Sequence, residues 1–272
     1  MSEVKTGVFE NMSMAEYESI PALRWSRLSE YLRSPAHGKA AESRIFESDA
    51  LDFGQAVHTG ILEPGKFEDR FGVIPDDAPQ KRSNVDKQWW RDFYAANQGR
   101  TFLKPDTFRQ VQRCIEAAYA HPRANVWLTS PKSKREVVIV WMDKCGMFCK
   151  ARLDLVSNVE GMTRIIDVKS TRDASPRAFS RDLHEYHYAG QVAFYKRGID
   201  AVAPFERSAS FIAVEKDPAV VVCYDLGPAS LEAGEDEVNR ALAVFVEAEA
   251  SQKWPGYPDG ILDLPPWALK GE

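Results

Sequence analysis

The sequence predicts one α/β domain in which helices flank a mixed central β-sheet, with a mainly helical part ahead of that sheet. β-branched residues concentrate over 136–143, 148–157 and 163–170, whereas apolar residues recur at helical spacing through 21–130. Asn158 and Gly161 supply turn chemistry between the last two strands, so we expect those strands to form a hairpin.

Length and composition agree with this interpretation. The chain has 272 residues and 44% hydrophobic content, which suffices for one large core. We expect a flexible lead-in over 1–20 and a single domain over 21–272. That domain divides into a mainly helical part (21–130), the sheet with one helix (131–225) and a C-terminal helix and tail (226–272).

Targeting and redox features are sparse. The sequence shows no apolar run long enough for a signal peptide or a membrane span, which predicts a cytoplasmic protein without a membrane partner. Four cysteines are scattered without paired spacing, so we expect them to be reduced and to bind no zinc.

The helical part opens with a predicted helix over 26–32, whose apolar side is Trp25, Leu28 and Leu32. Ser26 is its predicted N-cap, which is sufficient to explain this serine. A second helix should start near Pro35.

A third helix carries Gly54 and His58 on one face, and two more follow around 87–94 and over 104–121. A lone histidine on an apolar face is ordinarily a satisfied core residue. From the residues alone, His58 therefore has no assigned role.

The strand over 136–143 should pair with the hairpin. Glu136 opens it beside a basic run, where an ordinary strand-end salt bridge explains an acid. After Tyr195, the pattern predicts two outer strands around 216–218 and a covering helix over 228–251.

The hairpin brings acidic side chains together. Asp167 and Lys169 lie on one side of their strand because side chains alternate, and Asp154 lies on the partner strand, thirteen positions earlier. Two close carboxylates raise each other's pKa unless a cation lies between them. Hard oxygen ligands without a Cys or His cluster beside them favour Mg²⁺, with Mn²⁺ as a substitute. An ordinary surface ion pair is the alternative.

The helix after the hairpin supports a functional interpretation. His184, Tyr188, Gln191 and Tyr195 follow at spacings of 4, 3 and 4, which form one stripe on a helix over 182–197. The stripe is polar and aromatic where a core helix would carry Leu or Val. We therefore expect it to face a polar cleft.

Together these residues resemble a known nuclease superfamily. The order of these motifs is similar to that of the PD-(D/E)XK nucleases, specifically their RecE-like and RecB-like exonuclease branch. The order is Asp154, then Asp167-Val168-Lys169, then Gln191-x-x-x-Tyr195. The resemblance covers about residues 21–268. It implies a restriction-endonuclease-like core.

The resemblance also implies roles for individual residues. The phrase FGQAVH matches a helix whose histidine, here His58, reaches the metal site in such nucleases. The resemblance implies that the metal is held by Asp154, Asp167, His58 and the Val168 carbonyl. It implies that the residues acting in catalysis are Lys169, Gln191 and, more weakly, Glu136. The residues it implies in contact with DNA are Tyr195, Arg152, Arg172 and Ser26. The cysteine trio that relatives use for an iron–sulfur cluster is absent, so we expect none.

Charge is unevenly distributed. The net charge is −5, but residues 132–181 hold eleven Lys/Arg against six Asp/Glu, or +5, which leaves −10 for the rest. A basic patch around the proposed site suits contact with phosphates, and a solvated surface is the alternative explanation.

The resemblance implies an Mg²⁺-dependent exonuclease that degrades linear double-stranded DNA from the 5′ end in phage-type recombination. Its relatives are often prophage-encoded, often form rings around DNA, and work beside a single-strand annealing protein, so we expect a homo-oligomer and such a partner. Three alternatives stay open: an endonuclease of the same fold, a catalytically inactive DNA-binding module, and a metal-free structural domain.

Overall fold

The computed structural model describes residues 4–43, 48–80, 82–159, 161–202 and 208–264. The eight strands of this part are β1 (Gly7–Phe9), β2 (Phe71–Val73), β3 (Thr101–Leu103), β4 (Ser133–Met142), β5 (Phe148–Val159), β6 (Met162–Thr171), β7 (Ser208–Glu215) and β8 (Val221–Asp225). Its α-helices are α1 (Met14–Ser19), α2 (Trp25–Leu28), α3 (Pro35–Ala41), α4 (Asp49–Leu62), α5 (Phe67–Arg70), α6 (Asn84–Ala96), α7 (Pro105–Ala120), α8 (Pro122–Thr129), α9 (Pro176–Glu185), α10 (Tyr188–Val202) and α11 (Pro228–Ser251). Two short 3-10 helices cover Ser29–Leu32 and Pro64–Lys66.

Six strands form one mixed sheet in the order β1-β4-β5-β6-β7-β8. Neighbouring strands are antiparallel except β6 and β7, which run parallel and are joined through α9 and α10. β2 and β3 make a separate two-stranded parallel sheet. The predicted hairpin is confirmed as β5 and β6.

Helices cover both faces of the six-stranded sheet. On one face α2, α10 and α11 enclose a core that includes Trp141, Leu153 and Phe194. On the other, α4, α7 and α8 pack over Leu155, Ile166 and neighbouring residues. This layered arrangement confirms the predicted fold class of a mixed sheet flanked by helices.

The N-terminal segment differs from its prediction as a flexible lead-in. β1 pairs with β4 at the edge of the sheet, and α1 begins with a reciprocal capping box between Ser13 and Glu16. Tyr17 is buried in a small cluster with Val138 and Val140. Local propensity gave little indication of this order, because it depends on contacts with a strand more than a hundred residues later. Residues 1–3 lie outside the described part of the chain.

The predicted helix over 182–197 is two helices. α9 ends at Glu185, His187 takes a left-handed backbone conformation with φ of 54°, and α10 starts at Tyr188. The break is fixed from outside, since the Trp25 indole N–H donates to the His187 carbonyl oxygen and Glu237 contacts the His187 ring. His184 is therefore exposed on α9, away from the stripe that α10 carries.

Two smaller predictions also need correction. The cap of α2 is Arg24, because the Leu28 amide donates to the Arg24 carbonyl oxygen, so Ser26 lies inside the first turn. Of the two predicted outer strands, β7 is an internal strand with a six-residue buried run, and β8 is an edge strand. The long helix over 228–251 is confirmed, while residues 265–272 of the predicted tail lie outside the described residues.

No described helix has both the length and the apolar character to cross a membrane.

Candidate active site

The candidate site lies where β5 and β6 separate. Their ladder runs from Val159–Met162 to Leu155–Ile166 and stops, after which β6 continues beside β7 and β5 beside β4. At the fork, the Asp154 carboxylate accepts a hydrogen bond from the Val168 amide at 2.8 Å. Asp154 therefore lies against β6 between Asp167 and Lys169.

His58 approaches this fork from α4. Its Nε2 lies 3.0 Å from an Asp154 carboxylate oxygen, and its Nδ1 lies 3.7 Å from Glu136 Oε1. Gly54 sits one turn earlier, where an added Cβ would lie 3.3 Å from the Ser170 hydroxyl. The small residue thus allows α4 to run close to β6 and bring the imidazole to the carboxylates.

Lys169 is held by residues from β6 and α10. Its amine lies 2.5 Å from Asp167 Oδ2 and donates to the Gln191 side-chain oxygen at 2.9 Å. Gln191 in turn donates to the Tyr195 hydroxyl at 2.7 Å, and the Lys169 amine lies 4.6 Å from the Tyr188 ring centroid. The α10 part of the predicted stripe therefore surrounds the lysine.

Burial and mutual charge set the ionisation of these groups. Burial lowers the pKa of His58, but the neighbouring carboxylates raise it, and Asp154 contributes most among them. The resulting pKa of His58 is about 9. Burial raises the pKa of Asp154, but the charge and hydrogen bond of His58, the Lys169 charge and the Val168 amide together outweigh burial, so the pKa is lowered overall. Burial raises the pKa of Asp167 to about 6 despite Lys169. The Lys169 pKa is raised, because Asp167 and Asp154 outweigh its desolvation.

Arg152 does not face outward as a DNA ligand should. Its guanidinium forms a close ion pair with Glu136 and lies 3.6 Å from Glu63, and all three side chains are at most 12% exposed. Glu63 also contacts Arg70 at 2.7 Å. The prediction of Arg152 at phosphates is therefore replaced by a buried network that holds Glu136, whose own φ of 54° is unusual within a strand.

The other predicted DNA contacts are placed differently from one another. Tyr195 is only 8% exposed and its hydroxyl is engaged by Gln191, so it positions Gln191 and is not presented to a phosphate. Ser26 is exposed and lines a cavity together with His58 and Asp154. Arg172 is exposed beside the site, in a groove that also contains Arg181 and Lys216.

The donor set suits a hard divalent cation. Asp167 Oδ1 and Glu136 Oε1 are buried and have no hydrogen-bond partner among the described residues, although unpaired buried carboxylate oxygens are costly. Carboxylate and carbonyl oxygens are the ligands that Mg²⁺ and Mn²⁺ prefer. As they stand, no three acidic, histidine or cysteine side chains of the described residues converge as a ready-made metal cage. Asp154 instead faces the imidazole of His58.

Sequence patterns missed two residues that shape the site. Glu63 follows α4 and completes the Arg152 network, and Lys150 is a buried amine that donates to the Tyr17 and Ile20 carbonyl oxygens. Tyr188, which covers Lys169, belongs to the predicted stripe. Nothing local indicated Glu63 or Lys150, because their partners are distant in the chain.

Comparison with known families agrees with this geometry. A family model described as a PDDEXK-like domain of unknown function (DUF3799) matches residues 25–261. The chain belongs to this PDDEXK-like family. The matched segment contains His58, Asp154, Asp167 and Lys169. Membership, together with the fold, supports a nuclease and confirms the predicted superfamily, whereas the RecE-like branch stays a prediction.

Solved structures support the same fold. The crystal structure of a putative exonuclease from Eubacterium rectale aligns with a TM-score of 0.64 at 12% identity, over 97% of this chain and 100% of that one. The structure of SSO0001 aligns with a TM-score of 0.32 at 14% identity, over 75% of this chain and 88% of that one. The structure of protein VC1899 from Vibrio cholerae aligns with a TM-score of 0.24 at 12% identity, over 83% of this chain and 56% of that one. These two scores are too low to add to the comparison. No curated protein matches the sequence.

Proposed function

We propose that this PDDEXK-like protein is a divalent-metal-dependent exonuclease that hydrolyses phosphodiester bonds of linear double-stranded DNA, with 5′-to-3′ polarity and Mg²⁺ as its metal. The observation that carries the proposal is the fork between β5 and β6, where Asp154, Asp167 and Lys169 meet at a buried point beside His58. The chain aligns with the whole length of a structure described as a putative exonuclease, and this similarity supports the choice of reaction.

Asp154, Asp167 and the Val168 carbonyl would hold the metal, with His58 completing the site. A divalent cation there would offset phosphate charge and make an attacking water more acidic. Asp167 Oδ1, which has no hydrogen-bond partner among the described residues, is the most available oxygen for this purpose.

Lys169 would act as a cation and hydrogen-bond donor. Its raised pKa keeps the amine protonated at neutral pH, so it is suited to orient the water and stabilise charge on the phosphate, and not to accept a proton. Gln191 and Tyr195 fix the direction of the amine. Misalignment by a fraction of an ångström would lower the rate, since catalytic geometry is narrowly tolerant.

The exposed groove beside Lys169 would carry the DNA backbone. Arg172 and Arg181 of the basic segment line it together with Lys216 and with the acids Asp173, Asp182 and Glu185. Other cations of the basic segment, including Lys150 and Arg152, are used within the protein. Phosphate contact therefore rests on a smaller set of cations than the sequence count indicates.

Digestion of a linear duplex beside a covalently closed circle, with Mg²⁺ or EDTA, tests the proposal. Loss of the linear DNA alone, only with Mg²⁺, supports an exonuclease, and end-labelling then gives the polarity. Cutting of both substrates would instead indicate an endonuclease, and binding without cutting an inactive module. The predicted ring-shaped homo-oligomer, annealing partner and role in phage-type recombination stay predictions.

A further inference from the structure

The first turn of α10 determines where the Lys169 amine points. Two side chains of this turn contact the amine: the Tyr188 ring centroid lies 4.6 Å away, and the Gln191 side-chain oxygen accepts its hydrogen bond at 2.9 Å. The turn begins directly after His187, which separates α10 from α9. Because successive residues of an α-helix are rotated by about 100°, a different backbone at His187 would turn both side chains away from the amine.

Local sequence does not favour the backbone of His187. Its φ of 54° is in the left-handed region, which residues other than glycine rarely adopt. Such a conformation persists where the surrounding structure fixes it. The apolar and polar spacing over 182–197 is helical throughout, so local preference is for an uninterrupted helix. Contacts with other elements must therefore hold the break.

Residues of α2 and α11 supply those contacts. The buried Trp25 donates its indole N–H to the His187 carbonyl oxygen at 3.1 Å. The same carbonyl oxygen accepts the backbone amide of Gln191 at 2.9 Å. From α11, Glu237 Oε1 lies 3.1 Å from His187 Nδ1. One carbonyl oxygen thus joins a buried indole to the residue that holds the Lys169 amine.

Two glycines allow α2 and α11 to close on this turn. An added Cβ at Gly190 would lie 2.3 Å from the Trp25 ring and 2.6 Å from Glu237 Oε2. An added Cβ at Gly234, on α11, would lie 2.3 Å from the Ala189 carbonyl oxygen. These separations are far below ordinary contact, which is about 3.5–4.0 Å between carbon atoms. The first turn of α10 is therefore enclosed between the indole and α11 with no space for adjustment.

The burial of Glu237 needs an explanation. The residue is 9% exposed, and its Oε2 has no hydrogen-bond partner among the described residues. Burying a carboxylate with an unpaired oxygen is costly, so a position that serves packing alone would be better filled by an apolar side chain. The contact of Glu237 with the His187 ring accounts for an acid at this position.

We propose that Trp25, His187 and Glu237 form a positioning clamp for the catalytic lysine. The clamp fixes the first turn of α10 and thereby directs the Lys169 amine through Gln191. The three residues act on the amine through that turn, so they are positioning residues. The inference rests on the proposed nuclease function, and it extends the site to α11, which the sequence predicts only as a covering helix.

Steady-state digestion of a linear duplex tests the clamp. Glu237→Leu removes the contact with His187, so kcat should fall about tenfold or more while KM changes by less than about twofold. Glu237→Gln keeps a hydrogen-bonding group of the same shape and should restore most of the lost kcat. Phe245→Leu is the matched control, because Phe245 is buried on the same helix but packs on Tyr31.

The control should lower Tm and leave kcat unchanged at a temperature well below its Tm. A kcat of Glu237→Leu equal to that of the wild type would overturn the clamp. An equal loss of kcat in Phe245→Leu, or no recovery in Glu237→Gln, would overturn it as well, because the effect would then follow stability or packing and not the His187 contact.

Amide hydrogen exchange gives a measurement that does not depend on cleavage. The Gln191 amide, which donates to the His187 carbonyl oxygen, should exchange faster relative to later turns of α10 in Glu237→Leu. Trp25→Phe, which lacks the indole N–H, should have the same effect, and Phe245→Leu should not. Equal relative exchange in all these proteins would overturn the clamp. If exchange changes as expected but no protein cleaves DNA with Mg²⁺, the proposed nuclease function fails and the hold of the clamp on α10 does not.

Discussion

The Arg152 network provides the sharpest test of how the site is held. Arg152→Met removes the cation that lies closest to Glu136 and leaves it with His58 Nδ1 at 3.7 Å. The change also takes a cation from Glu63. Both carboxylates would then be buried with less compensation. Removing one partner of a buried ion pair costs about 3–5 kcal/mol of unfolding free energy. Because Glu63 keeps Arg70 at 2.7 Å, we expect the lower end, about 3 kcal/mol.

Urea denaturation at pH 7 measures this loss, with Arg172→Met as the control for removal of an exposed arginine from the same segment. The dependence of DNA affinity on salt should be unchanged in Arg152→Met. A stability loss below about 1 kcal/mol, combined with a weaker salt dependence, would show that Arg152 contacts phosphate and would refute the network.

The pH dependence of this variant has a definite sign. Burial raises the pKa of Glu136 and Asp154 raises it further, whereas His58 and then Arg152 lower it, so removing Arg152 must raise this pKa more. A carboxyl group with a raised folded-state pKa holds its proton better in the folded protein, and ionisation then destabilises the fold. The deficit of Arg152→Met should therefore shrink as the pH falls toward the ordinary range of glutamate, about 4.3. A deficit that is constant with pH would contradict this account.

Three other predictions concern the same site. Tyr195→Phe removes the hydroxyl that Gln191 contacts, so kcat should fall about tenfold with little change in KM, measured by steady-state digestion; an unchanged kcat would show that Gln191 needs no such support. Arg172→Ala should lower the slope of log affinity against log salt by about one, which filter binding measures, while the exposed α11 variant Arg240→Ala leaves it unchanged. In metal-free buffer, protonated His58 stabilises the fold because its pKa is raised from 6.5 to about 9. The wild type should therefore lose its higher stability relative to His58→Gln as the pH rises through 9. Thermal melts of both proteins over roughly pH 6 to 10 measure this difference. A gap that widens toward alkaline pH would contradict the His58–Asp154 ion pair.

The sequence was informative where a pattern is local or repeated. Alternation along β6 places Asp167 and Lys169 on one side, the hairpin brings Asp154 to them, and helical spacing brings Gln191 and Tyr195 to the lysine. These relations depend only on the geometry of strands and helices. The family resemblance, and not the spacing, supplied His58.

Predictions failed where distant contacts decide the outcome. The break before α10 depends on Trp25 and Glu237, which lie far from His187 in the sequence. Order in the N-terminal segment depends on Lys150, and the inward direction of Arg152 depends on Glu63 and Glu136. A count of basic residues cannot separate a cation that faces solvent from one buried in an ion pair, since both contribute equally to sequence charge.

The most direct test of the central claim compares the wild type with the near-isosteric variants Asp154→Asn and Lys169→Met on an end-labelled linear duplex, over a titration of Mg²⁺. We expect degradation that depends on Mg²⁺ in the wild type, and losses of at least about a thousandfold in both variants, with folding confirmed by circular dichroism. Degradation by the wild type in EDTA, or by folded Asp154→Asn at the wild-type rate, would contradict a metal-dependent nuclease site at the fork between β5 and β6.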